Sequence, residues 1–325
     1  MRRLVSMIMI LGTSASTLTV AEVPFNGKSG RALQQAVATY ARPVRMADRS
    51  GLNFTMCDEF SGVRIEVKSG QLPQGYVWST FVPSAWWSEV TEKYVEAVGN
   101  DVYNLLPLTE DVDTRRGDLT PGYVTTPSFD GPLWSVGRSE IYGIETDLYS
   151  PPEALRGELA RAFFYMSMIY PAGVWTPRGY MVMTSAAYPG LTEYAVQLLL
   201  GWHREHAPSA IEVAKNKRGE ELQGNRNPFV DYPELAEYLW GTHKGESFII
   251  EGEPQPLRSA YALRTDRVDL CSPEIPADAE WTVDGLAVTS ASIPAIDLGA
   301  GSHKLEYRVR STGERGMVMI KIEDR

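Results

Sequence analysis

The chain has 325 residues, of which 43% are hydrophobic, and a formal net charge of −10. With a mean hydropathy of −0.22, that composition excludes a disordered tail and a multi-span membrane protein. The acidic balance argues against a general nucleic-acid binder, whose affinity rests on Lys and Arg neutralising phosphates.

The length admits one sizeable domain and a small second one. Arg2 and Arg3 precede an apolar run from Leu4 to Leu11, broken at Gly12 and followed by small and polar residues up to Val20-Ala21. That pattern predicts a secretory signal peptide over residues 1–21 and a secreted or periplasmic protein. Cleavage there removes two positive charges and takes the net charge to −12. No Cys lies near the cleavage point for a lipid anchor, and no later window is long and apolar enough to suggest a membrane span.

Ser29 to Ala41 reads as a helix with Leu33, Val37 and Tyr40 on one face and Ser29 as its cap. Val63 to Val67 alternates like a strand, and Tyr76 to Val82 is extended in character. Gly117 to Pro151 is rich in Gly, Pro, Thr and Ser and reads as long surface loops. Pro151-Pro152 opens a strong helix carrying Leu155, Leu159, Phe163 and Met166, which Pro171 stops. Further helices are expected from Leu191 to Glu205, Ser209 to Leu222 and Pro233 to Trp240. Within the helix from Ser209 to Leu222, Lys215-Asn216-Lys217-Arg218 reads as a solvated basic face.

Helical periodicity ends near Gly241 to Glu246. Short strand-like runs follow at Phe248–Ile250, Ser259–Leu263, Glu280–Val283, Ser302–Val309 and Gly316–Ile322. Their spacing, with Trp281 central in one of them, predicts a small β-sandwich of immunoglobulin-like type over residues 247–325. Cys57 and Cys271 fall in different predicted domains. They read as two separate thiols, although an exported chain could bridge them.

The most specific string is Gln223-Gly224-Asn225-Arg226-Asn227-Pro228-Phe229-Val230-Asp231-Tyr232-Pro233-Glu234-Leu235, ending at Trp240-Gly241. It resembles the signature near the end of the bacterial endonuclease I domain. Gly27-Lys28-Ser29-Gly30, Gly157 to Tyr170 and Leu198 to Arg204 resemble other stretches of that family in order. The resemblance implies an α+β fold, with a ββα-metal nuclease domain over residues 22–242. It also implies a site in which a Glu and an Asn hold one divalent cation and a His after the Glu acts as general base.

The family's Glu-His, two residues, Pro, then Trp-Trp aligns with Ser79-Thr80-Phe81-Val82-Pro83 and Trp86-Trp87. Ser79 falls at the Glu position and Thr80 at the His position. Asn104 stands for a usual His, Asp113 for the metal-binding Asn and Asp118 for a second Asn, while Arg115-Arg116-Gly117 is kept. A Thr hydroxyl has no useful basicity near neutral pH, and a neutral Ser is a weak ligand for a hard cation. The four histidines are His203, His206, His243 and His303, so none precedes residue 203. His203 and His206 read as a pair at a helix C-terminus, facing the helix dipole. Trp86 and Trp87 read as core or loop anchors.

The candidate site is therefore Thr80 and Arg115 for catalysis, with Asp113 as the metal ligand and Ser79 as a weak second one. The expected cofactor is none, or weakly bound Mg²⁺. Three functions stay open: a pseudonuclease acting through binding, an active metal-dependent nuclease with a non-standard site, and a surface adhesion or glycan-contact module. The chain is expected to be monomeric, and nucleic acid is a partner disfavoured by charge.

Overall fold

The structure, a computed structural model, describes residues 23–324 apart from 89–91, 171–173, 187, 189, 251–256, 265, 271–274, 276–277 and 289–291. The predicted signal segment and Cys271 lie outside the described residues. Cys57 is a free, half-buried thiol, and desolvation together with the Glu59 carboxylate pushes it up to about 11.

The order is α1 (Gly30–Tyr40), β1 (Phe54–Asp58), β2 (Val63–Val67), β3 (Tyr76–Thr80), α2 (Glu92–Asn100), β4 (Leu105–Thr109) and α3 (Glu110–Arg116). Next come β5 (Thr120–Pro121), β6 (Thr126–Asp130), β7 (Ser135–Ile141) and β8 (Ile144–Ser150). A helical stretch holds α4 (Glu153–Ile169), α5 (Glu193–Glu205), α6 (Ala210–Gln223), α7 (Pro228–Asp231) and α8 (Leu235–Leu239). The last stretch is β9 (Ala260–Ala262), β10 (Arg267–Asp269), β11 (Ala279–Val283), β12 (Leu286–Val288), β13 (Ser292–Pro294), α9 (Ala295–Leu298), β14 (Gly301–Val309) and β15 (Arg315–Glu323). The class is mixed α+β, as the sequence predicts.

The main core is organised by α4. Leu155, Leu159, Phe163 and Met166 are buried, but so are Ala160, Ala162, Phe164 and Met168, so the helix is covered nearly all round. Even Arg161 is enclosed; its guanidinium forks onto both Glu212 oxygens at 2.6 Å. A bidentate pair is the geometry in which a buried Arg is tolerated. Thr192 caps α5 by accepting from Ala195 N–H, and Ser209 caps α6 by accepting from Glu212 N–H. Ser29 stands at the N-cap of α1 but its side chain makes no capping bond.

The segment from Gly117 to Pro151 is not loop. It forms a four-stranded sheet in the order β5-β8-β7-β6. β7 and β8 are joined at Tyr142-Gly143, both at positive φ (52° and 79°), the pattern of a type I′ hairpin. Its strands are mostly solvent-facing, with Ile141, Leu148 and Tyr149 buried, so the apolar alternation that marks a strand is too sparse to read.

In the C-terminal stretch, four of the five expected runs are strands. They build a mixed five-stranded sheet in the order β12-β11-β14-β15-β9, with β15 and β9 parallel, beside a β10–β13 ladder. Trp281, Val283, Leu305, Ile320 and Ile322 form the heart of a second core. Phe248–Ile250 is not a strand. Phe248 is fully buried in the main core against Phe25, at 5.7 Å between ring centroids. Its carbonyl accepts from Gly27 N–H at 2.7 Å and its N–H donates to the Lys28 carbonyl at 2.8 Å. An aromatic residue that completes a distant core looks the same in sequence as a strand residue.

Candidate functional site

β3 and β4 pair antiparallel from Tyr76↔Thr109 to Thr80↔Leu105. α3 follows β4 without a gap, capped by Thr109 accepting from Val112 N–H. This is a strand–strand–helix unit. Residues directly opposite in a ladder share a face. Ser79 faces with Leu106, which belongs to the main core along with Leu108 and Val112 of α3. Thr80 faces with Leu105, which belongs to a smaller core against which Tyr76 and Trp78 pack. The neighbours Ser79 and Thr80 therefore leave the hairpin on opposite sides, and Ser79 is on the α3 side.

The partner of Ser79 is Arg116, whose Nη2 donates to Ser79 Oγ at 2.9 Å. Arg116 is 2% exposed, its Cζ lies 5.7 Å from the Tyr149 ring centroid, and its Nε and Nη1 have no acceptor. Burial raises the Tyr149 phenol above its ordinary value, and the Arg116 charge opposes that rise. Arg115, the residue singled out by sequence, goes elsewhere. Its guanidinium binds Asp111 at 2.8 Å and lies 4.9 Å over Phe129. The helical period already held the signal: Val112 and Arg116 are i, i+4, so Arg116 shares the inward face.

Asp113 is half-buried in the first turn of α3, three residues before Arg116. Gly117 ends the helix at φ 50°. Just beyond it, the Asp118 carbonyl accepts from Trp86 Nε1 at 2.7 Å. Trp86 is fully buried and Trp87 nearly so, so the two indoles anchor the site's frame. Asn104 does the same by bonding both backbone groups of Val82.

Two expectations are corrected here, those for Lys215 and His203. Asp101 lies apart from the site's surface. Asp101 is buried, accepts from Tyr165 and Tyr170 hydroxyls at 2.8 and 2.9 Å, and burial raises its carboxyl. Lys215 is not on a solvated face: it is 3% exposed, and Nζ donates to Leu105 O at 2.8 Å and Glu158 at 2.9 Å. His203 does not act with His206 on a helix dipole. It is buried, its Nε2 is bonded to the Pro233 carbonyl at 2.7 Å, and burial lowers its pKa.

The signature string is structural, as its composition suggests. Asn227 caps α7, Asn225 Nδ2 reaches Tyr165 Oη at 2.9 Å and the Ala41 carbonyl, and Arg226 forks onto Asp231 at 2.6 and 2.7 Å. Among the described residues, no three of His, Cys, Asp and Glu gather as metal ligands, and no helix is long and apolar enough to cross a membrane.

The geometry and the signature agree with comparison to known proteins. The chain is 29% identical over 145 residues to the "Extracellular ribonuclease" of Bacillus amyloliquefaciens, covering 44% of this chain and 47% of that protein. It is 26% identical over 145 residues to the protein of the same name from Bacillus subtilis, with the same two coverages. It is 27% identical over 143 residues to an "Extracellular deoxyribonuclease" of Aeromonas hydrophila, covering 43% of this chain and 53% of that one. The chain spans about half the length of these curated relatives. The family model described as endonuclease I matches residues 32–234, and the chain belongs to that family.

Proposed function

We propose that this is an exported endonuclease I-family protein whose hydrolytic site is impaired and which acts by binding. The observation that carries the reading is the hairpin itself. Where the family resemblance expects an acid followed by a base, Ser79 accepts a hydrogen bond from a buried guanidinium and Thr80 turns to the opposite face. No histidine precedes residue 203, and His203 is tied into the core. Loss of the general base alone lowers a rate by about 10²–10⁴.

A divalent cation does not fit these donors. Ser79 Oγ is occupied by a cationic donor, and Asp113 leaves a single carboxylate, with which Mg²⁺ stays largely hydrated. Export rests on the residue 1–21 pattern and on the extracellular relatives. The immunoglobulin-like description of residues 247–325, and the boundary after residue 242, are part of the same proposal, supported by the separate second core.

The test is nicking of supercoiled plasmid by pure protein with Mg²⁺ or Mn²⁺. The expected result is no cleavage above buffer. Metal-dependent nicking that Asp113→Ala abolishes would instead establish an active nuclease with a non-standard site.

A further inference from the structure

Arg116 is a buried charge without a counter-ion. It makes no ion pair among the described residues; it bonds the neutral Ser79 hydroxyl and lies against the Tyr149 phenol, and its Nε and Nη1 have no acceptor. Asp113, three residues earlier on α3, does not pair with it. A desolvated guanidinium is costly unless an anion stands against it, and an unsatisfied buried donor calls for a specific explanation.

The position opposite supplies one. Ser79 is half-buried and is shorter than a glutamate by a methylene and a carboxyl carbon, so it does not take up the reach toward Nη2 that an acidic side chain would. Ser79 also keeps its own hydroxyl hydrogen to donate. We propose that Arg116 and Ser79 form an anion site on the α3 side of β3, taking an oxygen of a phosphate group. This rests on the reading of the β3–β4–α3 unit as the degenerate nuclease site. The electrostatic sign of that site is inverted: with Ser79 at the acid's position and Arg116 kept, a phosphate oxygen is attracted and a divalent cation is repelled.

The experiment is thermal denaturation of the full chain in EDTA, with inorganic phosphate or a dinucleoside monophosphate as probe and chloride at equal ionic strength as reference. Wild type should gain about 3–6 °C at about 20 mM inorganic phosphate if its Kd is near 1 mM. Ser79→Glu places a carboxylate beside Arg116. It should raise the midpoint without phosphate and remove the phosphate increment. This variant keeps the buried cation and adds its partner, so it tests the site without relying on an Arg116 replacement that fails to fold. An equal increment with the dinucleoside monophosphate supports an open site for phosphodiesters, and an increment with inorganic phosphate alone supports a closed site for the free ion. Equal phosphate increments in wild type and Ser79→Glu, or none in wild type, overturn the proposal. Plasmid nicking by wild type would sink the impaired-site reading separately, because the phosphate titration is done without metal.

Discussion

Val82 and Asn104 exchange two hydrogen bonds: Val82 N–H donates to Asn104 Oδ1 at 2.8 Å, and Asn104 Nδ2 donates to the Val82 carbonyl at 3.2 Å. The same Nδ2 reaches the Val98 carbonyl at 3.1 Å. One fully buried amide thus ties the chain just beyond β3 to the end of α2. Asn104→Leu leaves three buried backbone groups unpaired. The expected cost is about 3 kcal/mol of unfolding free energy, measured by urea denaturation, and a loss below about 1 kcal/mol would show that the tie is dispensable.

Lys215 and Lys217 should part company. Lys215→Met strips the Leu105 carbonyl and Glu158 of their donor inside the core and should destabilise by about 2–3 kcal/mol. Lys217 is exposed, and Lys217→Met should stay within about 0.5 kcal/mol. Paired denaturation curves decide it; equal effects would mean that the basic run is a surface feature after all.

Acid should weaken the fold through His203. Burial holds its imidazole below the usual 6.5, against the opposing bond to the Pro233 carbonyl. The folded-state value is the lower one, so the neutral ring contributes stability that is complete above pH 6.5 and lost as pH falls through the folded-state value. Denaturation midpoints taken across that window should fall more steeply for wild type than for His203→Gln. Parallel slopes would exclude His203 as the group responsible.

The β7–β8 turn carries removable strain. Tyr142 is exposed and sits at φ 52°, a region that Asn tolerates better than an aromatic residue. Tyr142→Asn should stabilise by about 0.5–1 kcal/mol and leave any ligand binding unchanged. Calorimetry that finds a lower midpoint would show that the exposed ring makes contacts worth more than the strain.

Arg226→Lys replaces the fork on Asp231 with a single ammonium. It should cost about 1–2 kcal/mol without altering phosphate response, because planar bidentate recognition is lost and the anion site is not touched.

What the sequence disclosed follows from how strongly each feature is patterned. α4 and α5 are legible because their apolar residues recur at helical spacing, and α6 because Ser209 stands where a cap belongs before a run of helix-forming residues. β6 to β8 are not, since a strand of Thr, Ser, Glu and Asp with few buried positions has no periodic contrast to detect. At the proposed site, the frame of Pro83, Trp86-Trp87 and Arg115-Arg116-Gly117 points to Ser79 and Thr80. The side on which each leaves the hairpin depends on Leu106 and Leu105, residues that no spacing connects to them. Arg116, not Arg115, shares the inward face of α3 with Val112. The burial of Lys215 and His203 is hidden from the sequence for the same reason: it is decided by partners far along the chain, Leu105 for one and Pro233 for the other.

The bonds between Phe248 and the Gly27-Lys28 backbone also set a schedule. Phe25 and Phe248 are separated by more than two hundred residues, yet each covers the other. A ribosome adding about 5–20 residues per second needs on the order of ten seconds or more to deliver the second after the first. Until then the N-terminal end of this core has an open apolar flank, so its completion waits for the late arrival of Phe248. A chain truncated before Phe248 should aggregate rather than fold.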